Sequence, residues 1–171
     1  MKTADFLRKH DACREGAKWA LSISDEMSDI WEAMIEQGKH EWLLWTATRP
    51  GVFTDTVLRK LACRFVRETP IGGGRTVWDL LTDDRSRNAV EVAELYADGK
   101  ATEKELVAAY TAAADASYAA ANDAAYAAAY SANDAADAAA DEAAYSVAKS
   151  AQIKMIADLC NPFGKRRNGT Q

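Results

Sequence analysis

The chain has 171 residues, a formal net charge of -5 and a hydrophobic fraction of 49%. That fraction overstates the core, because 36 residues are alanine and 25 of those fall within 101–151. Fewer than 50 larger apolar residues remain, which suits one domain with an appendage. No run of 18 apolar residues exists, so no membrane-spanning helix is expected. The N-terminus, Met1-Lys2-Thr3-Ala4-Asp5, turns polar again at once and argues against a secretory leader. Cys13, Cys63 and Cys160 have no metal-type spacing and leave one thiol over in any disulfide scheme. A reducing, cytoplasmic location is expected.

The first hundred residues hold all five tryptophans, Trp19, Trp31, Trp42, Trp45 and Trp78. In chain order, Phe6, Leu7, Cys13, Ala17, Ala20 and Leu21 recur near helical spacing and predict helix up to Ser22 and Ser24. Met27, Ile30, Trp31, Met34 and Ile35 form a second amphipathic stripe that stops at Gly38. A short apolar helix over His40 to Thr48 is closed by Pro50-Gly51. Thr54 suits the N-cap of a helix over 55–68, whose apolar face carries Val57, Leu58, Leu61, Ala62 and Phe65. Pro70 and Gly72-Gly73-Gly74 break it, and Thr69 to Val77 is the one weak strand candidate. A helical turn over Thr76 to Leu81 and a helix over 84–98, ending at Gly99, complete a helical head spanning 1–100.

The composition then changes. Thr102-Glu103-Lys104-Glu105 matches a capping box, and from there to Asn161 there is neither glycine nor proline. Alanine has the highest helix propensity, so helix is expected across the alanine-rich segment, 101–160. One unbroken helix would run to roughly 87 Å, so a break near Ser131–Asp134 into a hairpin is the alternative. Lys165-Arg166-Arg167 begins a polar tail, 161–171. The fold class expected is all-α: a multi-helix head followed by one long alanine-rich helix or a helical hairpin.

Asn122-Asp123-Ala124-Ala125 recurs eleven residues later as Asn133-Asp134-Ala135-Ala136. That period stacks residues on one helix face. It serves as the wet side of an alanine helix, as a close helix-packing surface that could also join copies of the chain, or, remotely, as an ice-binding face. Aspartates and tyrosines interrupt any flat apolar ice face, and the tryptophan-rich head has no part in that picture.

Catalytic chemistry finds little support. His10 and His40 fit no metal-ligand spacing, so neither a metal nor another cofactor is expected. Cys13 lies one turn from His10, yet no third group completes a nucleophilic set, and Asp83-Asp84 suits a helix cap better than an acid/base dyad. Gly72-Gly73-Gly74-Arg75-Thr76 offers either an anion-cradling loop or a flexible connector, without the lysine and spacing of a P-loop. The chain is expected not to be an enzyme.

The most suggestive constellation is basic and aromatic. Lys60, Arg64 and Arg67 recur at i, i+4 and i+7. Trp42, Trp45 and Arg49 form a similar run on the preceding helix, Arg75 follows the glycines, and Arg85 and Arg87 open the next helix. On one surface they would hold a small anionic, ring-bearing ligand by stacking and charge-assisted bonds, with Tyr118, Tyr126 and Tyr130 as a lid. The alternative is core tryptophans and arginines paired with the many acids. Duplex nucleic acid is not an expected partner at this net charge.

Ala12-Cys13-x-x-Gly16-x-x-Trp19, Trp42-Leu43-Leu44-Trp45, Leu61-Ala62-Cys63 and an alanine segment with interspersed Tyr and Asp follow in that order. Over roughly 5–160 this pattern resembles a family of small helical bacterial and phage proteins labelled immunity proteins. The resemblance implies neutralisation by binding in toxin–immunity or phage–host conflict, and it implies no catalytic residues. The function expected is therefore sequestration of a small anionic, nucleotide-like immune signal; the alternative is direct inhibition of a partner protein, either a toxin or a defence effector.

Overall fold

The computed structural model describes residues 1–114 and 137–164. They are mostly helical, with a single two-stranded sheet among them. The one-helix-or-hairpin alternative, the Asn-Asp repeat, Tyr118, Tyr126, Tyr130 and the basic tail lie outside the described residues. Among the described residues no helix is long and apolar enough to cross a membrane. The chain falls into two compact units, Met1–Thr54 with Gln152–Gln171, and Asp55–Ala151.

The first unit contains α1 (Thr3–Lys9), α2 (Arg14–Ile23), α3 (Met27–Glu36), α4 (His40–Ala47) and the end of α8 (Asp137–Ala157). The helical spacing from Phe6 to Leu21 is interrupted, because Asp11 adopts a left-handed φ of 55°. The chain restarts at Cys13, an extended N-cap whose Sγ accepts from the Gly16 amide at 3.3 Å. Left-handed backbone costs a non-glycine residue energy but suits aspartate better than most, and it breaks the helical ladder. Lys2 bridges Glu26 as an isolated β-pair, while the Thr3 amide donates to Asp25 O at 2.8 Å and staples the N-terminus to the α2–α3 turn.

The core of this unit is Phe6, Met27, Ile30, Trp31, Met34, Leu43, Ala47, Met155 and Ile156, all nearly inaccessible. Burial of large apolar side chains supplies its driving force, at about 1.5–3 kcal/mol for each side chain fully removed from water. The last two residues come from α8. Phe163, just beyond it, sets its ring edge against Phe6 at 5.2 Å and lies 6.2 Å from Trp31. Asn161 Nδ2 donates to Ser28 O at 3.0 Å. The chain that follows the alanine segment therefore completes the core begun by the first 54 residues.

The second unit contains α5 (Asp55–Glu68), β1 (Pro70–Gly72), β2 (Arg75–Thr76), a 3-10 turn (Val77–Leu80), α6 (Asp84–Ala97), α7 (103–114) and the earlier part of α8. Gly73 and Gly74, with φ of 60° and 74°, form the two-residue loop between β1 and β2. Two consecutive positive φ values belong to a primed hairpin turn, which matches the twist of the flanking strands. The three glycines thus serve a hairpin. Thr102 and Glu105 form the expected capping box: the Glu105 amide donates to Thr102 Oγ1 at 3.3 Å, and the Thr102 amide donates to Glu105 Oε2 at 2.7 Å.

Candidate functional site

Residues from two of the sequence blocks noted above, 12–19 and 42–45, line one cleft in the first unit. Cys13, Gly16 and Trp19 fall at i, i+3 and i+6 on α2, with Ala12 just before it, and all four line the cleft. Trp42 and Trp45 from α4 and Met27, Ile30 and Met34 from α3 line it as well. The cleft encloses about 220 Å³ and is almost wholly apolar.

Gly16 leaves room for the Cys13 cap. A Cβ at that position would meet Cys13 Sγ at 3.2 Å and the Trp42 indole at 3.6 Å. A glycine inside a helix costs about 0.5–1 kcal/mol relative to alanine. Here the close neighbour of a Cβ would be Cys13 Sγ, which accepts from the Gly16 amide, while the Trp42 indole would be in ordinary contact.

Trp19 and Trp42 pack with ring centroids 5.2 Å apart and tilted by 47°. Trp19 Nε1 donates to Gln37 Oε1 at 3.2 Å, which satisfies the indole's one donor. The Lys39 ammonium lies 5.2 Å from the Trp42 centroid and 5.8 Å from that of Trp19. Arg49 stands over Trp45 at 4.8 Å, and its Nε donates to the Trp45 carbonyl at 3.0 Å. Each tryptophan of the cleft therefore carries a basic group on its ring. Glu41 contributes a carboxylate to the lining.

Of the groups weighed for catalysis, Cys13 lines this cleft, whereas His10 and His40 are not among its lining residues. His10 stacks on Phe6 at 4.5 Å, and its pKa is lowered by burial first and then by Lys9 and Arg49. Cys13 is occupied as the α2 cap, and no hydrogen bond joins it to His10 among the described contacts. His40 Nε2 lies 2.7 Å from Gln152 Oε1, tying α4 to α8, while its buried Nδ1 has no partner. Among the described residues, no group of three or more His, Cys, Asp or Glu side chains could hold a metal ion.

The structure brings Lys60, Arg64 and Arg67 together around a second cleft of about 430 Å³, in the Asp55–Ala151 unit. Each faces a carboxylate there. Lys60 Nζ lies 2.6 Å from Asp98, Arg64 reaches Glu68 by two bonds of 3.0 Å, and Arg67 reaches Glu94 by two bonds of 2.9 and 2.8 Å. Asp98 is held below the usual carboxylate value by Lys60 and Lys100, and burial pushes the Cys63 thiol up. Arg67 also stacks on Trp78 at 3.6 Å, and Arg87 approaches the same ring at 5.7 Å. Arg75 is exposed on β2.

The residues expected to form one site are thus divided. Trp42, Trp45 and Arg49 belong to the first unit, and Lys60, Arg64, Arg67 and Arg75 to the second. Sequence reasoning met Gly16 only in the resemblance, weighed Cys13 as a nucleophile and Trp19 as one of the head's tryptophans, and passed over Lys39. The near-helical i, i+3, i+6 spacing on α2 was the signal available for the first three. Lys39 had none, since its place over two rings is set by the turn between α3 and α4.

Comparison with protein-family models, with curated proteins and with solved structures found no match.

Proposed function

We propose that this is a non-enzymatic binding protein that neutralises a partner protein by direct contact through the tryptophan-walled cleft, in the setting of microbial conflict that its resemblance to immunity proteins implies. The observation that carries this reading is the convergence of Ala12, Cys13, Gly16, Trp19, Trp42 and Trp45 on that cleft. Its volume, about 220 Å³, lies below the roughly 300–1,000 Å³ of sites that enclose a whole small molecule. It suits one inserted side chain. Aromatic pockets that take a single anchor residue supply much of the energy at protein interfaces.

Sequestration of a small anionic, nucleotide-like ligand is the second reading. It is favoured by the gathering of Lys60, Arg64 and Arg67 around a cleft of adequate size. A phosphate there has to replace Asp98, Glu68 and Glu94 as the counter-charge, which makes it the less favourable of the two.

Native mass spectrometry of the protein isolated from its own host cell separates them. Ala12→Leu fills the first cleft and is expected to abolish a co-purifying protein while the circular dichroism spectrum is kept. A partner that survives Ala12→Leu sinks the first reading. Loss of a bound anion in Arg64→Gln/Arg67→Gln, with Ala12→Leu silent, establishes the second.

A further inference from the structure

We infer that the partner presents one large apolar side chain from an acidic segment. The side chain fills the tryptophan cleft, and the carboxylates beside it meet Lys39 and Arg49 outside it. This rests on the cleft being the docking site and names the kind of surface it takes.

The inside of the cleft sets the anchor. Its lining is almost wholly apolar, and its thiol, hydroxyl and acidic residues are engaged. Thr46 Oγ1 donates to Met34 Sδ at 3.8 Å, Cys13 Sγ accepts from the Gly16 amide, and Glu41 has an interaction of its own. A charged or hydrogen-bonding tip pushed among Ala20, Met27 and Ile30 loses its water and gains no partner. A hydrocarbon group has no such cost. An apolar cavity of about 150 Å³ already holds a benzene-sized guest, so about 220 Å³ admits a whole phenyl or isobutyl group. Trp19, Trp42 and Trp45 are partly exposed, which leaves the cleft open to an entering side chain.

The outside sets the charge. Lys39 Nζ stands 5.2 Å from the Trp42 centroid and 5.8 Å from that of Trp19, and the Arg49 guanidinium 4.8 Å from that of Trp45. Both cations thus attend rings of the cleft without belonging to its lining. Neither has a carboxylate partner among the described residues; Arg49 donates to the Trp45 carbonyl and to Thr48 Oγ1. In the same unit Lys2 and Arg8 are paired with Asp25 and Asp5. The uncompensated charge is felt nearby, where Lys9 and Arg49 add to burial in lowering the pKa of His10. Salt confines such fields to about 8–10 Å, so these two cations outweigh the distant acids behind the net charge of -5. Carboxylates flanking the anchor complement them, and like charges there are repelled.

The test is a titration of the full-length 15N-labelled protein, followed through its indole N–H signals at about 0.15 M salt. The probe is acetyl-Asp-Phe-Asp-amide, compared with its Asp-Ala-Asp and Lys-Phe-Lys counterparts and with hydrocinnamate, a small apolar acid. The Asp-Phe-Asp peptide is expected to shift the Trp19 and Trp42 signals, Asp-Ala-Asp to leave them unmoved, and Lys-Phe-Lys to bind about fivefold more weakly. Lys39→Gln/Arg49→Gln is expected to remove that preference. No response to Asp-Phe-Asp overturns the inference, as does equal affinity for the two phenylalanine peptides or a preference that survives in the double variant. Binding of Asp-Ala-Asp, or tighter binding of hydrocinnamate than of the peptide, overturns it too. If both phenylalanine peptides bind equally while Ala12→Leu abolishes them and partner capture together, the acidic segment falls and the docking cleft stands.

Discussion

The two units differ in how much apolar surface each buries. In Met1–Thr54 with Gln152–Gln171, eleven apolar side chains are nearly inaccessible, from Phe6 to Ile156. In Asp55–Ala151 the buried apolar residues among those described are Leu61, Cys63 and Ala109, and α6 buries none. Both units carry ion pairs: Lys2–Asp25 and Arg8–Asp5 in the first, Lys60–Asp98, Arg64–Glu68, Arg67–Glu94 and Arg85–Asp83 in the second, where Lys60 and Arg67 of α5 reach carboxylates on or at the end of α6. Apolar burial is strong, short-ranged and indifferent to salt, whereas exposed ion pairs are weak and screened. A cleft with fixed aromatic walls therefore belongs in the first unit. In the second, Lys60 and Arg67 are engaged with Asp98 and Glu94.

The largest effect expected from this contrast is in the first core. Trp31 is 1% exposed and touches both Phe53 and Phe163. Trp31→Ala is expected to cost about 3–5 kcal/mol in urea denaturation, with little dependence on salt. A loss below about 1.5 kcal/mol would mean that the first unit is not governed by its core.

A smaller effect is expected at Arg67 and Glu94. Their side chains are 32% and 37% exposed, so solvent screens the pair despite its two-bond geometry. A double-mutant cycle with Arg67→Ala and Glu94→Ala is expected to give a coupling of about 0.5–1 kcal/mol, falling towards zero in 1 M salt. A coupling that ignores salt would break the contrast between the units.

The smallest concerns Asp83. The Arg85 guanidinium and amide at the start of α6 lower its carboxyl from 3.8 to about 2. A depressed carboxylate stabilises the fold above its ordinary value and loses that contribution as pH falls through the folded one. The difference in denaturation midpoint between the wild type and Asp83→Asn is thus expected to be constant above about pH 5, to shrink as pH falls through the folded value, and to be gone near pH 1. A difference that does not shrink between about pH 5 and pH 1 would point to a contribution independent of this charge.

Much of the local structure was legible. Gly38, Pro50, Pro70 and Gly99 mark helix ends because glycine and proline act on their own backbone, whatever surrounds them. The Thr102–Glu105 box is likewise local, two side chains reaching amides within one turn. The break at Asp11 escaped notice because apolar spacing continues across it, while the backbone departure sits in a residue that carries no strong signal of its own.

The site was legible only in pieces. Lys60, Arg64 and Arg67 share one face of one helix, so their gathering around a cleft follows from sequence spacing. Their carboxylate partners Glu94 and Asp98 come from more than 25 residues away and had no such signal.

By itself, then, the sequence determined the helical character, most helix ends, the weak strand candidate over Thr69 to Val77 and the face shared by the basic stripe, since each depends on neighbours within a turn or two. Composition changes near residue 100, yet the compact units exchange at Thr54 and Ala151, because Met155, Ile156 and Phe163 return to a core begun by Phe6 and Trp31. Only the tertiary structure decided that return, the meeting of Trp19 with Trp42, and the place of Lys39 above both. Contacts between residues far apart in the chain follow from how whole helices pack, and no local pattern encodes them.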